Sequence, residues 1–145
     1  MATWNIRPAN ERDAEALARC IDAAYAAYAS RIADLPAVSD GISEDIENHL
    51  VWVAILNDQI AGGLVLIPKD DFAVLANIAV DPRYSGRGLG RALAEFAEEE
   101  CLRLGKHELR LSTHVDLPEN VQLYEHLGWQ RTAQVGNKIH MRKAL

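Results

Sequence analysis

The stretch Val80-Asp81-Pro82-Arg83-Tyr84-Ser85-Gly86-Arg87-Gly88-Leu89-Gly90 decides how this chain is read. It follows an apolar run that ends at Val80. It leads into Leu89, Leu93, Phe96, Ala97, Cys101 and Leu104, which are apolar at helical spacing. The segment is therefore a strand, a glycine-rich turn and a helix entry. Successive glycines let backbone N–H groups point into one concavity, and the helix N-terminus adds partial positive charge. Phosphate is the natural guest, and Arg87 and Arg91 can add charge-assisted hydrogen bonds. Two familiar phosphate loops do not fit. A Walker loop needs Gly-x-x-x-x-Gly-Lys-Ser/Thr, and the lysine is missing. In the dinucleotide fingerprint Gly-x-Gly-x-x-Gly, the last position falls on Arg91 when read from Gly86 and on Leu93 when read from Gly88.

Upstream, Thr3 to Arg7 alternates like a strand and stops at Pro8. Asn10 offers an N-cap with Asp13 at the box position, ahead of a helix that turns Ala14, Leu17, Ala18, Ile21, Tyr25 and Tyr28 inward. The pattern breaks between Pro36 and Gly41. Ser43 is expected to cap a short helix with Ile46 and Leu50 inward. Strands are then expected over 51–56, 59–67 and 72–80, joined at Asn57-Asp58 and Pro68–Asp71 into an antiparallel meander, with a bulge at Gly62-Gly63. Downstream, Gly105 stops the long helix and 108–113 is a strand. That completes a βαβ unit with parallel pairing. Asp116 is expected to cap a last helix, with Pro118 and Glu119 in its first turn and Gly128 at its end. A hairpin over 129–133 and 138–143 closes the chain around Gly136-Asn137. The whole reads as one α+β domain spanning 1–145.

Composition narrows the class. Lysine and arginine number 15 against 21 aspartates and glutamates, a net charge of −6, and no basic run exists. Nucleic acid is therefore not an expected partner, whereas an acidic protein attracts cationic substrates, amines included. No stretch approaches the roughly 20 apolar residues that span a bilayer, so no membrane partner is expected. The segment Met1 to Asn5 lacks the basic start and apolar run of a signal peptide. Cys20 and Cys101 both fall on expected helices, so a disulfide framework is not expected and a reducing cytoplasm fits. No metal site is expected.

Two segments resemble the GCN5-related N-acetyltransferases. The family signature Gln/Arg-x-x-Gly-x-Gly/Ala falls on Ser85-Gly86-Arg87-Gly88-Leu89-Gly90, after Ile78-Ala79-Val80-Asp81-Pro82 in the place of the family's fourth strand. The second motif, Asn-x-x-x-Tyr-x-x-x-Gly-aromatic, falls on Asn120 to Trp129, and the order of elements matches over the whole chain. The resemblance implies a mixed, mostly antiparallel central sheet flanked by helices. It implies acetyl-CoA as co-substrate and transfer of its acetyl group to a primary amine by direct attack in a ternary complex. The backbone of Gly86, Arg87, Gly88, Leu89 and Gly90 would take the pyrophosphate, with Arg91 beside it. Ile78, Ala79 and Val80 would lie on a strand that splays from its parallel neighbour and binds the pantetheine arm, an N–H near Ala79 or Val80 polarising the thioester carbonyl. Tyr124 would protonate the leaving thiolate, and Asn120, on the same helical face, would support the pantetheine.

The sequence departs from the family at two places. Ser85 stands where Gln or Arg is preferred, with Arg83 or Arg87 left to compensate. Some relatives carry a glutamate where this chain has Val74, and no carboxylate occurs from Phe72 to Val80. His114 and Asp116 are the nearest side chains for base work; otherwise water takes the amine's proton. The acceptor region would be framed by Tyr25, Tyr28, Arg31, Asp34, Asp40, Glu44 and His49, and its small-molecule or amino-acid-like acceptor is unassigned. Two alternatives stand beside this reading: a sensor that binds acyl-CoA without turnover, and a protein lysine or N-terminal acetyltransferase. Closing hairpins of this kind carry dimer contacts in relatives, so a homodimer is compatible with the resemblance.

Overall fold

A computed structural model describes residues 3–26, 28 and 41–145. The strands are β1 (Asn5–Pro8), β2 (Leu50–Leu56), β3 (Gln59–Pro68), β4 (Ala73–Val80), β5 (Glu108–His114), β6 (Gln130–Val135) and β7 (Lys138–Ala144). The helices are α1 (Ala14–Ala26), α2 (Ile42–Asn48), α3 (Leu89–Arg103) and α4 (Pro118–His126). The strands form one sheet in the order β1-β2-β3-β4-β5-β7-β6, antiparallel except between β4 and β5. The expected mixed, mostly antiparallel α+β fold is what the chain adopts.

Alternation along the strands sends side chains to two cores. Leu17, Ile21 and Ile42 of α1 and α2 pack on Val51, Val53, Val65 and Ala79. Leu93, Ala97 and Cys101 of α3 and Val121 of α4 pack on Leu64, Leu66, Leu75, Leu109 and Met141. Gly62 and Gly63 let both helices approach. A Cβ on Gly62 would lie 2.7 Å from the Ala79 carbonyl and 3.2 Å from Leu93, and one on Gly63 would lie 2.7 Å from Leu17.

Local signals were honoured unevenly. Asn10 forms the expected capping box, and Asp13 answers both the Asn10 N–H at 2.8 Å and the Arg7 guanidinium at 2.8 and 3.0 Å. Ser43 does not cap α2: Gly41 takes that position at φ 83°, and the Ser43 hydroxyl donates to Glu11 at 3.0 Å. Asp116 does not cap α4 either. Leu117 holds that place, while the Asp116 N–H donates to His114 Nδ1 at 3.0 Å. Leu50 belongs to β2, and Leu104 is 41% exposed after the helix it was expected to anchor. Gly105, at φ 78°, ends α3 with the Lys106 N–H returning to the Cys101 carbonyl at 3.0 Å. The expected bulge lies one residue earlier, at Ala61, which no residue of β2 opposes. A second bulge leaves Ala76 of β4 unpaired with β3.

Candidate active site

The site begins where β4 and β5 part. Only Ala73 and Val74 pair with β5, opposite Leu109 and Arg110, and from Leu75 onward the two strands separate. On its other edge β4 stays paired with β3 as far as Val80. The Asp81 N–H donates to the Ala61 carbonyl at 2.8 Å, so alternation turns the Ala79 backbone toward β3 and the Ile78 and Val80 backbones toward the gap. The sheet thus offers unpaired peptide groups along a seam.

At the end of β4 the chain makes a short 3-10 turn over Pro82–Tyr84. Asp81 caps it, accepting from the Arg83 N–H at 2.9 Å and pairing with the Arg83 guanidinium at 3.1 and 3.2 Å. Arg83 holds the Asp81 carboxyl below the usual carboxylate range, chiefly through these hydrogen bonds. Tyr84 is buried, and the Ser85 hydroxyl closes on the Pro82 carbonyl at 2.9 Å. Gly86 and Gly88 then take φ 77° and 83°, with nothing within 4 Å of a built Cβ. Their glycines answer the left-handed backbone, which L side chains rarely adopt. Gly88 is the N-cap of α3 without a side-chain cap, and the Ala92 N–H to Gly88 carbonyl bond of 3.0 Å opens the helix. No acidic residue sits in that first turn. The result is an open cradle at a helix N-terminus, chemistry that suits an anion.

The arginines around the turn differ in their commitments. Arg83 is held by Asp81, and Arg91 pairs with Glu95 at 3.1 Å on the surface. Arg87 rests 5.6 Å from the Tyr84 ring centroid. Leu89 is a core residue, so its offering to the cradle is its N–H alone.

A cavity of about 210 Å³ joins the seam to the helices. Ile78, Ala79, Val80, Gly90, Asn120 and Tyr124 all line it, together with Tyr25 and Tyr28 of the α1 side. Ser85, Gly86, Arg87 and Gly88 lie on the turn beyond, and Leu89 and Arg91 in the first turn of α3. Tyr124 stacks edge-on against Trp129 at 5.6 Å, which fixes the ring. Burial raises its hydroxyl pKa well above the ordinary phenol value, and Tyr25 adds to the effect. Tyr25 is raised in the same way, by burial and then by Tyr28.

A second cavity, of about 310 Å³, opens where β4 and β5 diverge. Tyr25 and Asn120 wall both cavities. Val74, Ser112, Thr113, His114 and Lys138 line the second, so the position where relatives carry a glutamate faces it as a valine. The His114 Nδ1 lone pair is engaged by the Asp116 N–H at 3.0 Å, which puts the proton of the neutral ring on Nε2. That tautomer has no lone pair left with which to take a proton from an amine, and the expectation of His114 as base is not supported. Glu44 and His49 line none of these cavities, and Arg31, Asp34 and Asp40 lie outside the described residues.

Sequence reasoning missed three features. Lys138 and Ser112 enter the site through the β5–β7 register, which sets Lys138 opposite His114, because β7 inserts between β5 and β6. Asn77, next to the Ala76 bulge, keeps its amide oxygen buried without a hydrogen-bond partner among the described residues. The commitment of Arg83 to Asp81 did have a signal, since Asp-Pro-x reads as an N-cap followed by proline in the first turn.

Residues 15–129 match the Acetyltransferase (GNAT) family, and the chain belongs to it. Among curated proteins it is 36% identical over 83 residues to the [ribosomal protein bS18]-alanine N-acetyltransferase of Escherichia coli (strain K12), covering 57% of this chain and 56% of that one. It is 31% identical over 86 residues to the uncharacterized N-acetyltransferase YjgM of the same organism, covering 57% and 52%. The chain spans about half the length of the curated relatives it matches. Among solved structures it is similar to the PaiA N-acetyltransferase of Thermoplasma acidophilum in complex with coenzyme A, with a TM-score of 0.89 at 18% identity over 99% of both chains. It is also similar to the ribosomal-protein-S18-alanine N-acetyltransferase of Escherichia coli, with a TM-score of 0.80 at 25% identity over 98% of this chain and 94% of that one. No described helix is long and apolar enough to cross a membrane.

Proposed function

We propose that this chain is a single acetyltransferase domain, spanning 1–145, that moves the acetyl group of acetyl-CoA to a primary amine by direct attack in a ternary complex in the cytoplasm. One observation carries the reading: the seam between β4 and β5 runs from the glycine cradle into a cavity holding Tyr124, and Tyr25 and Asn120 join that cavity to a second one. Bound acetyl-CoA supplies the activated thioester. The N–H groups from Gly86 to Gly90 and the α3 N-terminus hold the pyrophosphate, with Arg87 as the added charge. Ile78 and Val80 turn their backbones to the pantetheine, and between Ala79 and Val80 the latter polarises the thioester carbonyl. Asn120 supports the pantetheine from α4.

Tyr124 donates to the leaving sulfur. A thiol titrates near 8.5 and an ordinary phenol near about 10. With Tyr124 raised further, transfer to a fully formed thiolate is uphill. The hydroxyl therefore acts as a hydrogen-bond donor that stabilises the charge developing on sulfur while the C–S bond breaks. No carboxylate lines the described cavities, so water carries the amine's proton away. A homodimer through the closing hairpin is consistent with β6, an edge strand with every residue exposed.

The relatives that act on ribosomal protein bS18 support a second reading of the acceptor, a protein N-terminus. The test is thiol release from acetyl-CoA across polyamines, aminoglycosides, amino acids and short peptides. Amine-dependent release is the expected result and names the acceptor class. Tight acetyl-CoA binding without release to any amine would favour the sensor.

A further inference from the structure

The chain as a whole is acidic, with 21 carboxylates against 15 lysines and arginines. A site built for polyamines would be expected to spend some of those carboxylates on its walls. Among the described residues, neither cavity at the seam has an aspartate or glutamate in its lining. A furrow of about 460 Å³ continues the second cavity across β5 and β7, sharing Val74 and Ser112 with it, and has none either.

The charges that do line this path are positive. Lys138 stands on the wall of the second cavity, and no carboxylate or other acceptor among the described residues engages its ammonium. In the furrow Arg110 and Arg142 share a single carboxylate, Glu108, which leaves one positive charge in excess. Arg110 also lies 3.6 Å from the Phe72 ring centroid, which fixes it over the furrow floor. A polycation entering here would set a second ammonium against Lys138, itself an exposed residue. A carboxylate would be drawn there, and like-charge rejection would add discrimination.

We infer that the acceptor is an amine whose own molecule carries a carboxylate, and that Lys138 receives that carboxylate while the amine meets the thioester between Tyr25 and Asn120. The inference rests on the acetyltransferase reading and narrows its acceptor. A free amino acid and a peptide whose N-terminus neighbours an acidic side chain share this chemistry.

Matched pairs isolate the carboxylate: alanine against alaninamide, β-alanine against its amide, and a peptide beginning alanyl-aspartyl against alanyl-asparaginyl. Binding is measured by titration calorimetry, with and without saturating CoA, for wild type, Lys138→Arg and Lys138→Gln. Thiol release gives kcat and KM in parallel. The expected result is an acid bound about tenfold tighter than its amide by wild type and Lys138→Arg, a ratio near one in Lys138→Gln, and a change in KM rather than kcat. A preference confined to the amino-acid pairs assigns the carboxylate to a free acid; one confined to the peptide pair assigns it to a protein. Equal binding of acid and amide, an acid preference that survives Lys138→Gln, or tighter binding of spermidine than of any acid would overturn the inference. Failure to bind acetyl-CoA would instead sink the transferase reading, since the acid-to-amide ratio is read without turnover.

Discussion

Tyr124→Phe removes one oxygen from the cavity wall and leaves the ring against Trp129. Among the described residues the hydroxyl has no hydrogen-bond partner, so its loss breaks nothing in the resting protein. Stability should change by less than about 1 kcal/mol, since the ring packing is kept and no hydrogen bond is lost. Acetyl-CoA affinity should hold, because the cradle and seam belong to other elements. Catalysis should not hold. A positioned acid contributes about 10² to 10⁴ in rate, and a thiolate leaves readily by itself, which argues for the low end. The expected loss is about 100-fold in kcat, or about 2.7 kcal/mol of transition-state stabilisation. Single-turnover thiol release at saturating acetyl-CoA and acceptor measures the chemical step directly. Equal single-turnover rates for wild type and Tyr124→Phe would refute the acid role and leave Tyr124 as a packing aromatic.

Other substitutions separate further claims. Arg87→Ala should weaken acetyl-CoA binding several-fold at low salt and less at high salt, while Arg83→Ala, already committed to Asp81, should do little; calorimetry at two salt concentrations compares them. Gly62→Ala drives a Cβ to 2.7 Å from the Ala79 carbonyl on β4. Overpacking of this kind costs about 1–3 kcal/mol, a drop in Tm of roughly 3–10 °C for a chain of this size; an unchanged melting curve would show that β4 gives way freely. Asp13, Asp81 and Glu108 all titrate below their ordinary values because arginines bind their charged forms. The unfolded chain therefore binds more protons in the acid range, and the stability these groups supply is present near neutrality and lost as pH falls from about 5 through their folded-state values. Asp13→Asn should flatten part of that slope in Tm against pH.

The strands of the meander were legible because period-two alternation is a property of the chain itself, and Asn57-Asp58, with φ of 53° and 62°, sits where a tight hairpin demands it. The glycine turn was legible for a similar reason: Gly86 and Gly88 must adopt a backbone that side chains resist. Caps were less so. Ser43 and Asp116 are good capping residues, yet the chain's approach to each helix puts Gly41 and Leu117 at the cap, which only the tertiary path decides. The Ala76 bulge has no local mark, since an alanine flanked by leucine and asparagine reads as any strand residue. The wall of the second cavity was least legible, because Lys138 reaches it through a strand register between segments distant in the chain.

The two halves of the sheet meet through two residue pairs, and α3 packs against β3, β4 and β5 across that joint. Mechanically, this is a pair of plates on a narrow hinge with one strap over it. The strap is tied down at its far end by Cys101, fully buried, whose thiol reaches the carbonyls of Lys106 and Glu108 at 3.6 and 3.5 Å, the second at the very start of β5. Any added bulk at that sulfur, from oxidation or a larger side chain, would act as a wedge under the strap and widen the gap between β4 and β5 from outside it.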